Sequence, residues 1–393
     1  MKVIYITLEN LSLHKGSVVH IKEIVEGLRR RGHQVEVIGS SHHLFEKIGH
    51  FGGLSFQTLF FSRFLGMKRQ PYILSSLFLF FYLFRILPRY DVIYARDYHT
   101  ALIALLPRLL HHKKLVYEIN GIASEEQGLK GDSTLNRMLV LTIQEAEKLA
   151  TKFSDKIISV TPYMASYLID RYHCQADKIE IVSNGVNLKK FLSIEDKPLL
   201  RSYRERLGIS SEEFVILFLG NLNLTQGVED LIQVVPSLVK EINLIKFLIV
   251  GDGVLKDELK KKVDRLGVSK HFIFTGMVDY DEVPIYVNLS DICVLLKRKL
   301  KSGWSPIKLF EYLACGKPVI ASRVEGLEFI EAEGAGRLVE PGDLGGLKEA
   351  LLELLEDSQK RTEMGRKGLQ LVRERFSWDT GTLKVEKILH RLA

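Results

Sequence analysis

Two ionisable residues, Lys308 and Glu311, stand three positions apart in SPIKLFEYLACGKPVIAS, a segment that otherwise reads as a buried helix followed by a buried strand. Ser305 offers a cap and Pro306 a first helical residue, which marks the helix start. Lys308 then falls in the first turn, with Glu311 one turn later on the same face. The simplest reading of such a pair is a solvent-facing salt bridge worth roughly a few tenths of a kcal/mol. The other reading is a ligand site. A helix start carrying a fixed cation suits a diphosphate, and a carboxylate accepts two hydrogen bonds from a vicinal diol such as ribose. Those are the two halves of a nucleotide sugar.

Weaker signals accompany the pair. Gly251 and Gly253 flank Asp252 between a strand pattern and a helix rich in lysine and glutamate. They could let backbone approach a ligand at a helix N-terminus, and a tight strand-to-helix turn explains them as well. Lys15, Gly16 and Ser17 open a helix several residues after the first strand, either as a helix cap or as a loop facing a substrate. His99, in DYHTA, reads by itself as a helix-start or core histidine. The three cysteines, Cys174, Cys293 and Cys315, are irregularly spaced, which fits a reducing compartment and offers no zinc pattern.

These residues need a frame to hold them. The chain has 393 residues, more than one hydrophobic core usually supports, so two domains are expected. With 46% apolar and 26% charged residues, disorder, collagen and coiled coil are excluded. Short apolar runs alternate with helical patterns, the sign of βαβ units and parallel sheets covered on both faces. In the first half the strand candidates are Lys2 to Thr7, Val35 to Ile38, Asp91 to Ala95, Leu115 to Glu118, Lys156 to Val160 and Ile179 to Val182. A polar stretch follows VSNGVNLKKF, and FVILFLG opens a second alternation with IKFLIVGDG, HFIFTG, DICVLL, KPVIAS and GRLVEP. The expected domains are residues 1–187 and 188–375, with a last helix over 376–393 that starts after Ser377. Open α/β sheets bind ligands at the carboxyl ends of their strands, so a nucleotide-sized site between two such domains is the first functional guess.

The segment SPIKLFEYLACGKPVIAS resembles the C-terminal signature of retaining, family 4-type glycosyltransferases of the GT-B fold, and the likeness extends over nearly the whole chain. KGSVVHIKEIVEGLRRRGHQVEVI, YARDYHTALIALL, EKLATKFSDKIISVTPYM, IEIVSNGVNLKKF, GNLNLTQGVEDLI, LIVGDG, FTGMVDYDEVPIYVNLSDICVLL and RFSW match in order and spacing. The combination of SNGV, GDG and SPxKLFEYLACGKPV is specific.

The resemblance implies two Rossmann-like domains facing each other across a cleft, with the last helix crossing back onto the first domain. It places Glu311 on the donor ribose, Lys308 on the diphosphate, and the backbone around Gly303, Trp304, Ser305, Pro306 and Ile307 close to the transferred sugar. Gly251 and Gly253 join the donor site, Gly16 faces donor and acceptor, and His99 aligns with a cleft histidine near the sugar. The implied reaction transfers a hexose from a UDP- or GDP-sugar to a sugar, lipid-linked or glycolipid hydroxyl with retention, in cell-surface glycan or glycolipid synthesis. No cofactor and no metal are needed for it.

Two departures from the family pattern stand out. The arginine and lysine often found after the first strand of the second domain are replaced by Asn221 and Gln226, and the first glutamate of the usual E-x7-E pair falls at Gly303. Charge could be restored by Lys297, Arg298, Lys299 and Lys301 or by Arg323, although such a lysine run is also read as a solvated loop. A nucleotide-sugar isomerase or epimerase on the same scaffold and a non-catalytic binding homologue therefore stand beside the transferase.

The net charge of +7 suits anionic partners. Nucleic acid is not expected among them, because the basic residues are spread and no compact motif is seen. PYILSSLFLFFYLF, Pro71 to Phe84, is uncharged, flanked by Lys68, Arg69, Arg85 and Arg89, and at 14 residues is short of the roughly 20 that span a bilayer. It reads as a helix buried against the first sheet or as one that enters the membrane interface on its basic flanks. The start, KVIYIT, shows no secretory signal, so a cytosolic protein, with possible contact at the inner membrane face, is expected.

Overall fold

The computed structural model describes residues 1–11, 16–40, 48–51, 54–58, 72–192, 194, 196–299 and 303–392. Lys15, Lys68, Arg69, Pro71 and Lys301 lie outside them. The chain divides into two compact units, one of residues 1–184 and 378–393, the other of residues 185–377. The division comes three residues before the 187/188 boundary expected from composition. The reason is local: Val186 pairs with Ser377, and its N–H donates to Phe376 O at 2.9 Å, so the segment already belongs to the second unit.

The first unit contains strands β1 (Lys2–Asn10), β2 (Gln34–Ser40), β3 (Ile48–Phe51), β4 (Leu54–Thr58), β5 (Val92–Ala95), β6 (Lys114–Ile119), β7 (Lys156–Ser159) and β8 (Ile179–Ile181). They form one sheet in the order β3-β4-β2-β1-β5-β6-β7-β8. Every pair is parallel except β3 with β4, an edge hairpin that the apolar pattern did not predict. Buried on both faces by helices, the central strands read as near-continuous apolar runs, and Val3, Ile4, Tyr5 and Ile6 of β1 are fully buried.

The helix Tyr72–Ile86 packs against the first sheet on one side, the first of the two sequence readings. Leu79, Leu83 and Ile86 pack into the core beneath the sheet, while Leu77, Phe78 and Phe81 face outward.

The second unit contains β9 (Phe214–Leu219), β10 (Ile245–Val250), β11 (Phe272–Gly276), β12 (Ile292–Leu295), β13 (Val319–Ser322) and β14 (Gly336–Val339). Its sheet is all parallel, in the order β11-β10-β9-β12-β13-β14. From β9 the chain winds outward to β11, then returns to β12 and winds the other way. This is the doubly wound order, with its switch point between β9 and β12. In the first unit the reversal falls between β1 and β5. Loops leaving the carboxyl ends at a switch point diverge, and ligand-bearing residues are expected there.

Candidate active site

The switch point of the second unit is built around the last residue of β9. Leu219 pairs with Val250 of β10 on one side, whereas the pairing with β12 ends one residue earlier, at Phe218. The free peptide groups of Leu219 are taken by one helix, Ile307–Ala314. Its Tyr312 hydroxyl accepts from Leu219 N–H at 2.9 Å, and Lys308 Nζ donates to Leu219 O at 2.6 Å. Lys308 and Tyr312 lie one turn apart, so a single helical face clamps the end of the strand. Leu309, Phe310, Leu313 and Ala314 fill the core around them.

Lys308 also donates to Gln226 Oε1 at 2.8 Å, and its ammonium lies 4.6 Å from the centre of the Phe218 ring. Two of its three N–H donors are thus used among the described residues, and one remains for a further acceptor. Burial pushes the ammonium well below the ordinary lysine value, and nearby Lys297 adds to this while Glu311 opposes it. Gln226, which stands where the family often has a lysine, is the acceptor that a second cation could not be. The approach is close: a Cβ on Gly220 would lie 2.6 Å from Lys308 Nζ, and Gly220 has φ +134°.

Glu311 is 3% exposed and takes a 2.7 Å hydrogen bond from the Tyr280 hydroxyl on Oε1. Burial pushes its carboxyl up to about 7, against the opposing pull of Tyr280, Lys190 and Lys308. Lys190 stacks its ammonium 3.8 Å from the centre of the Tyr280 ring and pairs with Asp281. Neither Lys308 nor Glu311 is a solvent-facing salt-bridge partner. Both turn inward, and each finds its own partners.

The helix start differs by one residue from the expected one. Pro306 has ψ 122°, extended rather than helical, so it is the flanking residue and Ile307 the first helical one; Ser305 is not the cap. Trp304 is held just upstream, its backbone N–H on Glu325 O at 2.8 Å and its indole Nε1–H on Arg298 O at 2.8 Å. Gly303, buried at φ +71°, precedes it. Of the four basic residues that could restore charge and are described, Arg298 pairs with Glu229, Lys299 with Glu340, and Arg323 with Glu331 and Glu340. Lys297 is different: it is 4% exposed, with its ammonium 4.1 Å from the centre of the Trp304 ring.

The GDG turn has a packing reason. A Cβ on Gly251 would lie 2.1 Å from Gly220 O, and one on Gly253 would lie 2.4 Å from Leu222 O and 2.5 Å from Asn221 Oδ1. Its glycines let the loops after β9 and β10 touch backbone to backbone. Asn221 is otherwise exposed at the tip of this contact.

In the first unit, Gly16 begins the helix that follows β1, and His99 is the second residue of the helix Tyr98–Leu110 that follows β5. Both therefore sit at the carboxyl side of the two switch-point strands. Asp97 caps the His99 helix through Thr100 N–H at 2.8 Å. His99 is exposed and lies against Tyr98, ring centres 3.9 Å apart; partial desolvation at the foot of the helix pushes its pKa down and Asp97 opposes this.

A buried polar cluster beside these residues was not visible in the sequence. Glu118, at the end of β6, is fully buried and bonds His20 Nε2 at 2.7 Å, the Tyr94 hydroxyl and Asn120 Nδ2. Burial alone would raise the Glu118 carboxyl, but His20, Arg96 and Asn120 hold it at about 2. His20 Nδ1 meets Asn184 Oδ1 at 2.7 Å, and the ring stands edge-on to Trp378 at 5.2 Å. One histidine thereby ties together the last residue of the outgoing segment and the first of the returning one. The only trace in the sequence is a glutamate inside the apolar run LVYEI.

Comparison with known proteins gives this geometry a context. Residues 14–190 match the family described as Glycosyltransferase Family 4, and residues 201–371 match Glycosyl transferases group 1. An uncharacterized glycosyltransferase of Methanocaldococcus jannaschii is 28% identical over 95% of this chain and 94% of its own. A GDP-mannose-dependent alpha-(1-6)-phosphatidylinositol monomannoside mannosyltransferase of Mycobacterium tuberculosis is 28% identical over 58% of this chain and 61% of its own. Among solved structures, Anabaena HepE in complex with UDP-glucose superposes with a TM-score of 0.78 over the full length of both chains, at 18% identity. The chain belongs to the glycosyltransferases of group 1 and family 4 type and has the GT-B fold.

Proposed function

We propose that this glycosyltransferase moves a sugar from a nucleoside-diphosphate donor to an acceptor hydroxyl with retention of anomeric configuration. The observation that carries the reading is the inward pair at the second switch point: among the described residues, Lys308 has one N–H to spare at the end of β9, and Glu311 one turn along has a single hydroxyl donor on its carboxylate. The spare ammonium donor meets the diphosphate. The free carboxylate oxygen of Glu311 takes the ribose hydroxyls. As the bond from the anomeric carbon to the diphosphate breaks, negative charge gathers on the departing phosphate, where a fixed cation and the backbone N–H groups of Gly303, Ser305 and Ile307, in the segment that also holds Trp304 and Pro306, stabilise it. The reaction assigns no step to a metal ion. On the acceptor side, Gly16 and His99 line the carboxyl ends of β1 and β5, and a neutral His99 imidazole offers the acceptor hydroxyl a hydrogen bond.

Incubation of the purified protein with UDP- and GDP-sugars and an acceptor mixture tests this reading by nucleoside diphosphate release. Release that requires an acceptor is the expected result. Conversion of the nucleotide sugar without release identifies an isomerase, and a thermal shift with neither identifies a binding homologue.

A lipid-linked or glycolipid acceptor fits the outward face of the helix Tyr72–Ile86, where Leu77, Phe78 and Phe81 are exposed beside Arg85. Among the described residues no helix is long and apolar enough to cross a membrane. Such a face suits the interface of an anionic leaflet at the cytosolic side. The protein is expected to sediment with vesicles containing phosphatidylglycerol, and Phe81→Asp to reduce the bound fraction severalfold. Equal sedimentation of the two proteins removes the membrane reading.

A further inference from the structure

A third constellation lies far from the residues above, at the amino end of the first sheet. The chain leaves the helix Gly16–Arg30 through a tight turn in which His33 N–H donates to Leu28 O at 3.1 Å and Gln34 N–H to Met1 O at 2.9 Å, so His33 is held just before β2. Its imidazole is 6% exposed and faces the returning C-terminal helix, Trp378–Leu392. There Glu386 and His390, one turn apart, share a face. His33 Nε2 meets Glu386 Oε1 at 3.1 Å, the His33 and His390 rings are 5.4 Å apart, and each of the three residues offers a ligand atom within 4.8 Å of the others. Among the described residues, the buried His33 Nδ1 has no hydrogen-bond partner.

We propose that His33, Glu386 and His390 bind a divalent transition-metal ion of the zinc type. Two imidazoles and one carboxylate are a zinc donor set, and they leave a fourth position for water. Ligand atoms on a tetrahedral zinc stand about 3.3 Å apart. The His33 to Glu386 distance already matches that spacing, so only the exposed His390 has to turn. Arg31 Nη1 holds the other carboxylate oxygen at 3.2 Å and aims Oε1 toward the site, as an outer partner of a metal ligand does. The ion would sit at the opposite end of the strands from Gly16 and His99. Its role is structural: it fastens the C-terminal helix to the turn before β2, joining the two ends of the first unit, which are more than 350 positions apart in sequence.

The test uses tag-free, full-length protein stripped with a chelator and titrated with Co2+ at neutral pH. A saturable visible absorption band at one equivalent is expected, displaced by Zn2+, and Zn2+ alone should raise the melting temperature. His390→Ala, at an exposed position, and Glu386→Gln, which keeps the shape, are each expected to weaken Co2+ binding at least tenfold and to abolish the Zn2+ shift. Absence of a one-equivalent band, or an affinity unchanged in both variants, overturns the proposal. Both readouts are independent of transferase activity.

Discussion

Replacing Lys308 by alanine is expected to lower kcat by about a hundred- to a thousandfold while the donor KM changes only a few-fold. That is the usual effect of removing one fixed donor aimed at charge that develops in the transition state. The ammonium is suited to such a role because its site disfavours charge in the empty protein: it is partly withdrawn from water, and Lys297 is near. An incoming diphosphate reverses that balance, and the further charge gathering on the leaving oxygen strengthens the attraction in a medium of low dielectric. Steady-state kinetics on a folded variant, checked by circular dichroism, measures the effect. Loss of donor affinity with kcat preserved would make Lys308 a ground-state binding residue, and no effect at all would return it to a structural clamp on Leu219 and Gln226.

Glu311 is expected to act on the other parameter. Glu311→Ala should weaken nucleoside diphosphate binding by about a hundredfold, since each hydrogen bond to a charged acceptor contributes roughly 1.5 to 3 kcal/mol. Calorimetry with the product diphosphate measures this directly. The same residue predicts a pH signature in the empty protein. Its carboxyl titrates at about 7 when folded, against an ordinary 4.5. Between those values the unfolded chain gives up its proton first, so the Glu311 contribution to stability is full below about pH 4.5 and is lost as pH rises through 7. The loss is about 3 kcal/mol on the alkaline side. Glu311→Gln cannot ionise, so its melting temperature should exceed that of the wild type above pH 7 and converge with it in acid. Parallel pH profiles for the two proteins would contradict the burial argument.

Much of this frame was readable from local pattern. A strand such as FVILFL, apolar at every position, can only be covered on both faces, which implies a parallel sheet with helices above and below. The hairpin β3–β4 escaped because an edge pair carries no such run, and IGHF and LSFQT mix small and polar residues. The start of the site helix was off by one residue for a different reason. Proline sets φ but leaves ψ free, and the contact of Trp304 with Glu325 keeps Pro306 extended.

The site itself was legible as residue types and not as contacts. Lys308 and Glu311 could be singled out, yet their partners Leu219, Gln226 and Tyr280 come from a strand end and two loops 31 to 89 positions away. Tyr280 lay within a matched segment without any mark of its own. His20 and Asn184 are 164 positions apart, and no local pattern pairs them.

The alternation of strand and helix, and with it the set of loops that leave the carboxyl ends of the strands, was determined by the sequence alone, because periodicity is a property of neighbours along the chain. Burial was decided only by the tertiary structure. Whether an ammonium or a carboxylate loses its water depends on which distant segments cover it, and that covering turned an ordinary helical ion pair into two inward groups with displaced pKa values.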